Sequence, residues 1–444
     1  MEYKSRLLNN AEALKRSQPL RVVLLNDIGF VGGAGRATWR QAQSLMSGGH
    51  HVSVVCCLRN LSTPRIQTHK KSLEMNWGGL HAIPTALCRP GQLPEKRLKI
   101  VLNEVARHRP DVVIAGNLHS AGWPVQLLRE VRDQLKIPVI AYAHDAHWVT
   151  GRCAYAGQCQ KYLTGCDEAC PTADEYPSLT PKLIHSAWRD RAEVFAGTDP
   201  IPVATNSNWM TELFKSRFGS VAITRTLYLG IDHNLFNPID QGVARRMLGL
   251  MEGIPVVLAG AIDIGESRKG GPLLMEIIKE LQSLHRVAIV AFGQNSWCID
   301  GVTGLGYLDD ERIMPLVYSA SDTMLHVAQE EAFGQTLLEA SACGIPSVAR
   351  STGGVPEVVT HDQTGVLVPR DRPEDYVHEI MRLIDDPPRR QNLGTAARDY
   401  AVRTFSLEAQ HDRWSQFLVD LAETSTAKEQ AATFVKPVSG AATP

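Results

Sequence analysis

Thr323-Met324-Leu325-His326-Val327-Ala328-Gln329-Glu330-Glu331-Ala332-Phe333-Gly334-Gln335-Thr336-Leu337-Leu338-Glu339 is the stretch from which the fold can be read. It opens on a short apolar run, Thr323–Val327, that is too brief for a helix and suited to a buried strand. A polar turn follows, with Glu331 in the loop and Gly334 at the expected first turn of a helix. A buried strand feeding directly into a helix is the unit of a parallel sheet covered on both faces.

The same rhythm recurs in both directions along the chain. In the first half, strands are predicted near Leu20–Asn26, His51–Leu58, Asp111–Ala115, Pro138–Ala143 and Ile201–Thr205. In the second half they are predicted at Ile254–Gly260, Arg286–Phe292, Thr323–Val327, Pro346–Ala349 and Gly365–Val368. Two such series in 444 residues predict two doubly wound α/β domains, with ligands at the carboxyl ends of strands. The expected organisation is an extension over 1–19, an amino-terminal domain over 20–229, a linker over 230–253 and a carboxyl-terminal domain over 254–404. A helix over 405–423 and a disordered Ala/Thr/Ser-rich tail over 424–444 complete it.

Four elements carry chemistry, and each sits where a strand hands over to a helix. Glu331 and Glu339 are spaced to grip hydroxyls at the two ends of a sugar nucleotide. The amides of a helix starting near Gly334 would hold the phosphates between them. The same residues also fit a capping glutamate followed by a surface one. Ser267-Arg268-Lys269-Gly270-Gly271 places two cations at a turn that opens a helix, which suits a diphosphate whose charge grows as it leaves. Gly29-Phe30-Val31-Gly32-Gly33-Ala34-Gly35-Arg36 is a glycine-rich turn that allows close approach of backbone to ligand, though not in the dinucleotide-binding spacing. His144, followed by Asp145, ends a predicted strand and so faces the ligand side of a parallel sheet.

A fifth feature stands apart. Cys153, Cys159, Cys166 and Cys170 lie within eighteen residues directly after the His144 strand, enough thiols for one tetrahedral structural zinc. Their intervals are not the paired Cys-x2-Cys form, and ordinary loop cysteines fit as well. No Asp-x-Asp pair is placed to hold a diphosphate through a metal, so no catalytic metal is expected.

The order of motifs resembles the retaining GT-B glycosyltransferases of family 4. Their signature has a Glu, seven residues and a second Glu, with Phe-Gly after the first. This chain follows it with Glu339-Ala340-Ser341-Ala342-Cys343-Gly344-Ile345-Pro346, Gly353-Gly354-Val355-Pro356-Glu357 and Thr364-Gly365-Val366-Leu367-Val368. Thr205-Asn206-Ser207-Asn208-Trp209 and Gly230-Ile231-Asp232 with Phe236 and Pro238 extend the match to about 400 residues. The cysteine segment is similar to a subgroup that builds bacterial surface polysaccharides.

The resemblance implies two Rossmann-like domains facing across a cleft and a nucleotide-diphosphate sugar as donor. It assigns Glu331 to the sugar hydroxyls, Glu339 to the ribose, and the amides of Phe333, Gly334 and Gln335 to the distal phosphate or sugar. Lys269 would take the diphosphate and His144 the sugar near the reacting centre. Gly32 and Gly33 would face donor phosphate or acceptor. Arg268 departs from the family pattern, because relatives place their arginine four or five residues before the lysine. The final helix, around Trp414, is implied to pack back on the first domain.

Composition fits a globular enzyme: 44% apolar and 21% charged residues, with no apolar run of the roughly 18 residues that span a bilayer. Residues 1–20 lack the apolar core of a secretory signal, so the cytoplasm is the expected compartment. The net charge of −1 divides into +8 over residues 1–200 and −9 over the rest. A basic first half suits peripheral contact with the inner membrane face or an anionic acceptor, or is only a difference in surface charge. Nothing points to nucleic acid. The expected activity is transfer of a hexose-type sugar to a hydroxyl of a glycan, a lipid-linked carrier or a small molecule. A nucleotide-sugar epimerase or hydrolase on the same fold, and a non-catalytic degenerate transferase, share the same motifs.

Overall fold

The computed structural model describes residues 2–30, 32–58, 77–84, 95–173 and 175–434. Thirteen strands are described: β1 (Arg21–Asn26), β2 (His51–Leu58), β3 (Trp77–Pro84), β4 (Val112–Ala115), β5 (Val139–Ala143), β6 (Val203–Thr205), β7 (Thr224–Thr226), β8 (Val256–Asp263), β9 (Ala288–Gln294), β10 (Thr303–Gly304), β11 (Thr323–His326), β12 (Ser347–Arg350) and β13 (Gly365–Val368). They form two parallel sheets, one of order β3-β2-β1-β4-β5-β6-β7 and one of order β10-β9-β8-β11-β12-β13. Two parallel α/β sheets are what the alternating apolar runs predict.

The residues group into two compact units. The described residues within 1–29, 45–141 and 411–444 form one, and those within 30–44 and 142–410 the other. In the first, the pairing runs Val22↔Val52 on one side of β1 and Val22↔Val112 on the other. The side chains of β1 after Arg21, and all those of β4, are buried. That explains their unbroken apolar composition, since both faces of a parallel strand are covered. The helix Glu2–Lys15, falling in the stretch read as an extension, buries Leu7, Asn10 and Ala11. Asn10 donates from Nδ2 to the Asp111 carbonyl at 2.8 Å. His411 stands against Gly48 and reaches His50 at 3.2 Å between the two Nε2 atoms.

In the second unit, Val257, Ala259, Leu325, Val348 and Val366 form the sheet side of a core closed by Leu274, Ile277, Leu281, Tyr376 and Ile380. Within residues 230–253, read from sequence as a linker, the chain forms a helix, Gln241–Leu248. That helix is tied down by a buried ion pair between Arg245 and Asp322 at 2.7 Å. The last helix, Leu407–Phe434, continues past Thr424, where a disordered tail was expected. Ala427, Lys428, Glu429, Gln430 and Ala431 are strong helix formers and account for the difference. Residues 435–444 of that expectation lie outside the described residues.

The topology of the second sheet sets the position of the site. β8 pairs with β9 on one side and with β11 on the other, so the winding reverses there. Loops leaving the carboxyl ends of two such neighbours diverge and leave a crevice between them. The loop after β8 carries Arg268 and Lys269, and the loop after β11 carries Glu330 and Glu331.

Candidate active site

Glycine geometry brings the two loops together. Gly270 has φ +79°, and a Cβ on it would overlap the Val327 carbonyl, so only glycine lets the Lys269 turn close on the end of β11. The backbone of Gln329 then donates to the Arg268 carbonyl at 2.8 Å. On the other side of the β11 loop, a Cβ at Gly353 would overlap the Glu331 carbonyl, and Gly354 donates its N–H to that carbonyl at 2.9 Å. The loop after β11 is thus held from both sides.

Lys269 Nζ and Glu331 Oε2 meet at 2.6 Å. Burial pushes the Glu331 carboxyl upward, but the Lys269 charge, the nearby His326 and Arg268 reverse the balance and hold it at about 2. It is therefore a fixed anion at any ordinary pH. His326, at the end of β11, approaches the same oxygen at 3.9 Å, and burial lowers its pKa to about 4 despite Glu331. An ammonium has three donors. One of Lys269's goes to Glu331, which leaves two for another anion.

The helix Gln335–Ala342 starts at Gly334, whose φ of +98° turns the chain into it. Phe333 is buried against Phe405 and Tyr228, so of this residue only the backbone is available to a ligand. The Gln335 side chain donates from Nε2 to the Gly33 carbonyl at 2.8 Å, which joins the glycine-rich turn to this helix start. Gly32, at φ +72°, begins the helix Gly32–Ser47.

Glu339 is enclosed. Its Oε1 accepts from Arg40 Nη2 at 2.6 Å and its Oε2 from the Tyr318 hydroxyl at 2.6 Å. Arg40 is itself 1% exposed, lies over the Phe236 ring at 5.1 Å and reaches Glu311 at 3.8 Å. Burial works against its charge, and Glu339 and Glu311 outweigh it, so its pKa is raised. Sequence patterns do not reveal this partner, because Arg40 lies 299 residues from Glu339 in an otherwise unremarkable helix.

His144 follows β5 and is 7% exposed. Its ring lies 4.4 Å from that of Tyr142, and neither ring nitrogen has a protein hydrogen-bond partner among the described residues. Burial lowers its pKa to about 4 against the pull of Asp145, so it is a neutral imidazole with one donor and one acceptor to offer. Asp145 serves the local turn, accepting from the His147 N–H at 2.9 Å. Asn206, after β6, donates to the His144 carbonyl at 3.3 Å.

Among the described residues no group of three or more His, Cys, Asp or Glu side chains is arranged to hold a metal ion. Three of the four loop sulfurs meet local groups. Cys166 accepts from the Gly151 N–H at 3.3 Å, Cys153 lies 3.3 Å from Arg152 Nη2, and Cys170 lies 3.8 Å from the Thr172 hydroxyl.

Two family models match successive parts of the chain, Glycosyltransferase Family 4 over residues 31–235 and Glycosyl transferases group 1 over residues 294–400. A crystal structure of Anabaena HepE in complex with UDP-glucose superposes with a TM-score of 0.66, covering 92% of this chain and 100% of that one at 18% identity. The chain has the GT-B fold of glycosyltransferases. Curated relatives include the D-inositol 3-phosphate glycosyltransferase of Stackebrandtia nassauensis, 28% identical over 256 residues, or 50% of this chain and 56% of that protein. The GDP-mannose-dependent monoacylated alpha-(1-6)-phosphatidylinositol monomannoside mannosyltransferase of Corynebacterium glutamicum is 27% identical over 243 residues, 50% of this chain and 63% of that one. The chain thus spans little more than half the length of these relatives. No helix among the described residues is long and apolar enough to cross a membrane.

Proposed function

We propose that this chain is a retaining glycosyltransferase that moves a hexose-type sugar from a nucleoside-diphosphate sugar to a hydroxyl of an acceptor. The observation that carries the reading is the Lys269–Glu331 pair at the switch point of the second sheet, beside the helix start at Gly334. A cation and an anion held 2.6 Å apart match the two halves of such a donor, phosphate and sugar hydroxyls. The names of relatives that use GDP-mannose or act on an inositol phosphate, and a structural neighbour seen with UDP-glucose, support a donor of this class.

In this reading Glu331 accepts hydrogen bonds from the sugar hydroxyls. Lys269, Arg268 and the amides of Gly334 and Gln335 stabilise the diphosphate as the bond from the anomeric carbon to its oxygen breaks. The departing oxygen takes the proton of the acceptor hydroxyl, whose oxygen bonds to the anomeric carbon on the same face, so configuration is kept. His144, neutral and without a protein partner, offers a hydrogen bond to the sugar near the reacting centre. Glu339 would accept from the ribose through lone pairs not used by Arg40 and Tyr318. Gly32 and Gly33 leave room for donor phosphate or acceptor.

Surface polysaccharide synthesis, residence in the cytoplasm and peripheral contact with the inner membrane face through the basic first half belong to the same proposal. Thermal-shift measurements against UDP-, GDP- and ADP-sugars test it, since a bound donor raises the melting temperature with the logarithm of its concentration. Product analysis by NMR then reads the anomeric configuration. Stabilisation by none of these donors would refute the reading. Release of free sugar without transfer would favour a hydrolase.

A further inference from the structure

The segment that carries the cysteines has a second property, independent of its thiols. It is a firmly built loop: Arg152 donates to the Pro177 carbonyl at 2.8 Å and to the Thr172 hydroxyl at 2.7 Å, and Thr150 donates to the Cys153 carbonyl at 2.6 Å. From this base, residues 155–157 touch both loops of the proposed donor site. The Tyr155 ring lies under the Arg268 guanidinium, 4.1 Å from its carbon to the ring centroid. The next two residues are held by Glu330, whose Oε1 accepts from the Ala156 N–H at 3.2 Å and Oε2 from the Gly157 N–H at 2.6 Å.

Arg268 is gripped on its other edge by Glu266, through Nε at 2.9 Å and Nη2 at 3.2 Å. Its remaining nitrogen, Nη1, is buried and has no protein partner among the described residues. A guanidinium stacked on a ring and clamped along one edge cannot rotate, so Nη1 is left as a donor of set direction. Arg268 stands directly before Lys269, whose own charge is engaged with Glu331.

We infer that Tyr155 is a positioning residue for Arg268: its ring aims the Arg268 Nη1 donor at the distal phosphate of a nucleoside diphosphate, and Glu330 keeps the Tyr155 turn in place. The inference rests on the donor reading above and deepens it. It gives the cysteine-bearing segment a part in donor binding, and it explains how an arginine outside the family's spacing still serves the diphosphate.

The test separates this role from a structural one by comparing nucleoside diphosphates with monophosphates. Affinities of UDP and UMP, GDP and GMP, and ADP and AMP are measured by titration calorimetry, and the base that the wild type binds is carried forward. Tyr155→Ala is expected to weaken the diphosphate about tenfold, a step of about 1.4 kcal/mol, and to leave the monophosphate within about twofold. Tyr155→Phe keeps the ring and is expected to keep the wild-type ratio. Glu330→Gln, which retains one acceptor oxygen for the turn, should give a smaller loss in the same direction. It also preserves the test if Tyr155→Ala does not fold. In an Arg268→Ala background the Tyr155→Ala change should add nothing. Equal weakening of both nucleotides, or an unchanged ratio in both Tyr155→Ala and Glu330→Gln, overturns the inference and leaves the donor reading standing. A wild type that binds none of the six nucleotides overturns both.

Discussion

Replacing Arg40 by Met isolates the buried charge pair that closes on Glu339. The guanidinium is 1% exposed and the Glu339 side chain 2% exposed, with 2.6 Å between Nη2 and Oε1. Methionine fills much of the same volume over Phe236 but leaves the carboxylate with only the Tyr318 hydroxyl as a strong donor. Removing one partner of a buried pair strands the other charge and costs about 3–5 kcal/mol. In a unit of this size that corresponds to a fall in melting temperature of roughly 6–20 °C. Glu339→Gln should also destabilise, since it strands Arg40 beside Glu311 alone. The double variant Arg40→Met/Glu339→Gln removes both charges and should recover a large part of the loss. Calorimetric unfolding of the four proteins gives the coupling energy directly. A single Arg40→Met cost below about 1 kcal/mol, or a coupling below about 0.5 kcal/mol, would refute the view that Arg40 and Glu339 stabilise one another as ions.

Three further outcomes are expected. Lys269→Ala should lower turnover on a confirmed donor at least tenfold, because its charge matters most as the diphosphate departs; steady-state kinetics within about twofold of wild type would remove it from the mechanism. His144 and His326 have folded pKa values near 4 against about 6.5 unfolded, so between those values the unfolded chain binds more protons and stability falls as pH falls. The pair should contribute a slope of up to about 2.7 kcal/mol per pH unit, levelling off below pH 4, and the doubly substituted His144→Asn/His326→Asn protein should show a flatter profile in pH-dependent melting. Gly270→Ala should lower the melting temperature clearly, because its φ of +79° and the Val327 carbonyl leave no place for a Cβ; unchanged melting would show that the turn can relax.

The strands legible in the sequence are those covered on both faces. β2 is found over the residues predicted, His51–Leu58, and β1, β4, β5, β8, β9, β11, β12 and β13 each begin within two residues of their expected starts. Burial on two faces demands unbroken apolar runs, and such runs are visible without any tertiary knowledge. The strands that escaped notice are β3, β7 and β10, and each lies at an edge of its sheet. An edge strand gains its hydrogen bonds from one neighbour and needs less apolar surface. Thr224-Arg225-Thr226 and Thr303-Gly304 carry little compositional trace of it.

A similar division holds at the site. Local rules place Lys269, Glu331, Gly334 and His144 at strand-to-helix junctions, because strand ends and turn glycines are written in consecutive residues. What those side chains meet depends on contacts between distant parts of the chain. Lys269 and Glu331 are paired because β8 and β11 are neighbours at the point where the sheet reverses. Glu339 meets Arg40 and Tyr318, and Arg268 meets Tyr155, across separations on which no periodicity bears. Sequence alone determined which residues stand at the ends of the strands. Only the tertiary structure decided which of them share a charge, because pairing energy depends on distances and burial that the folded sheets impose.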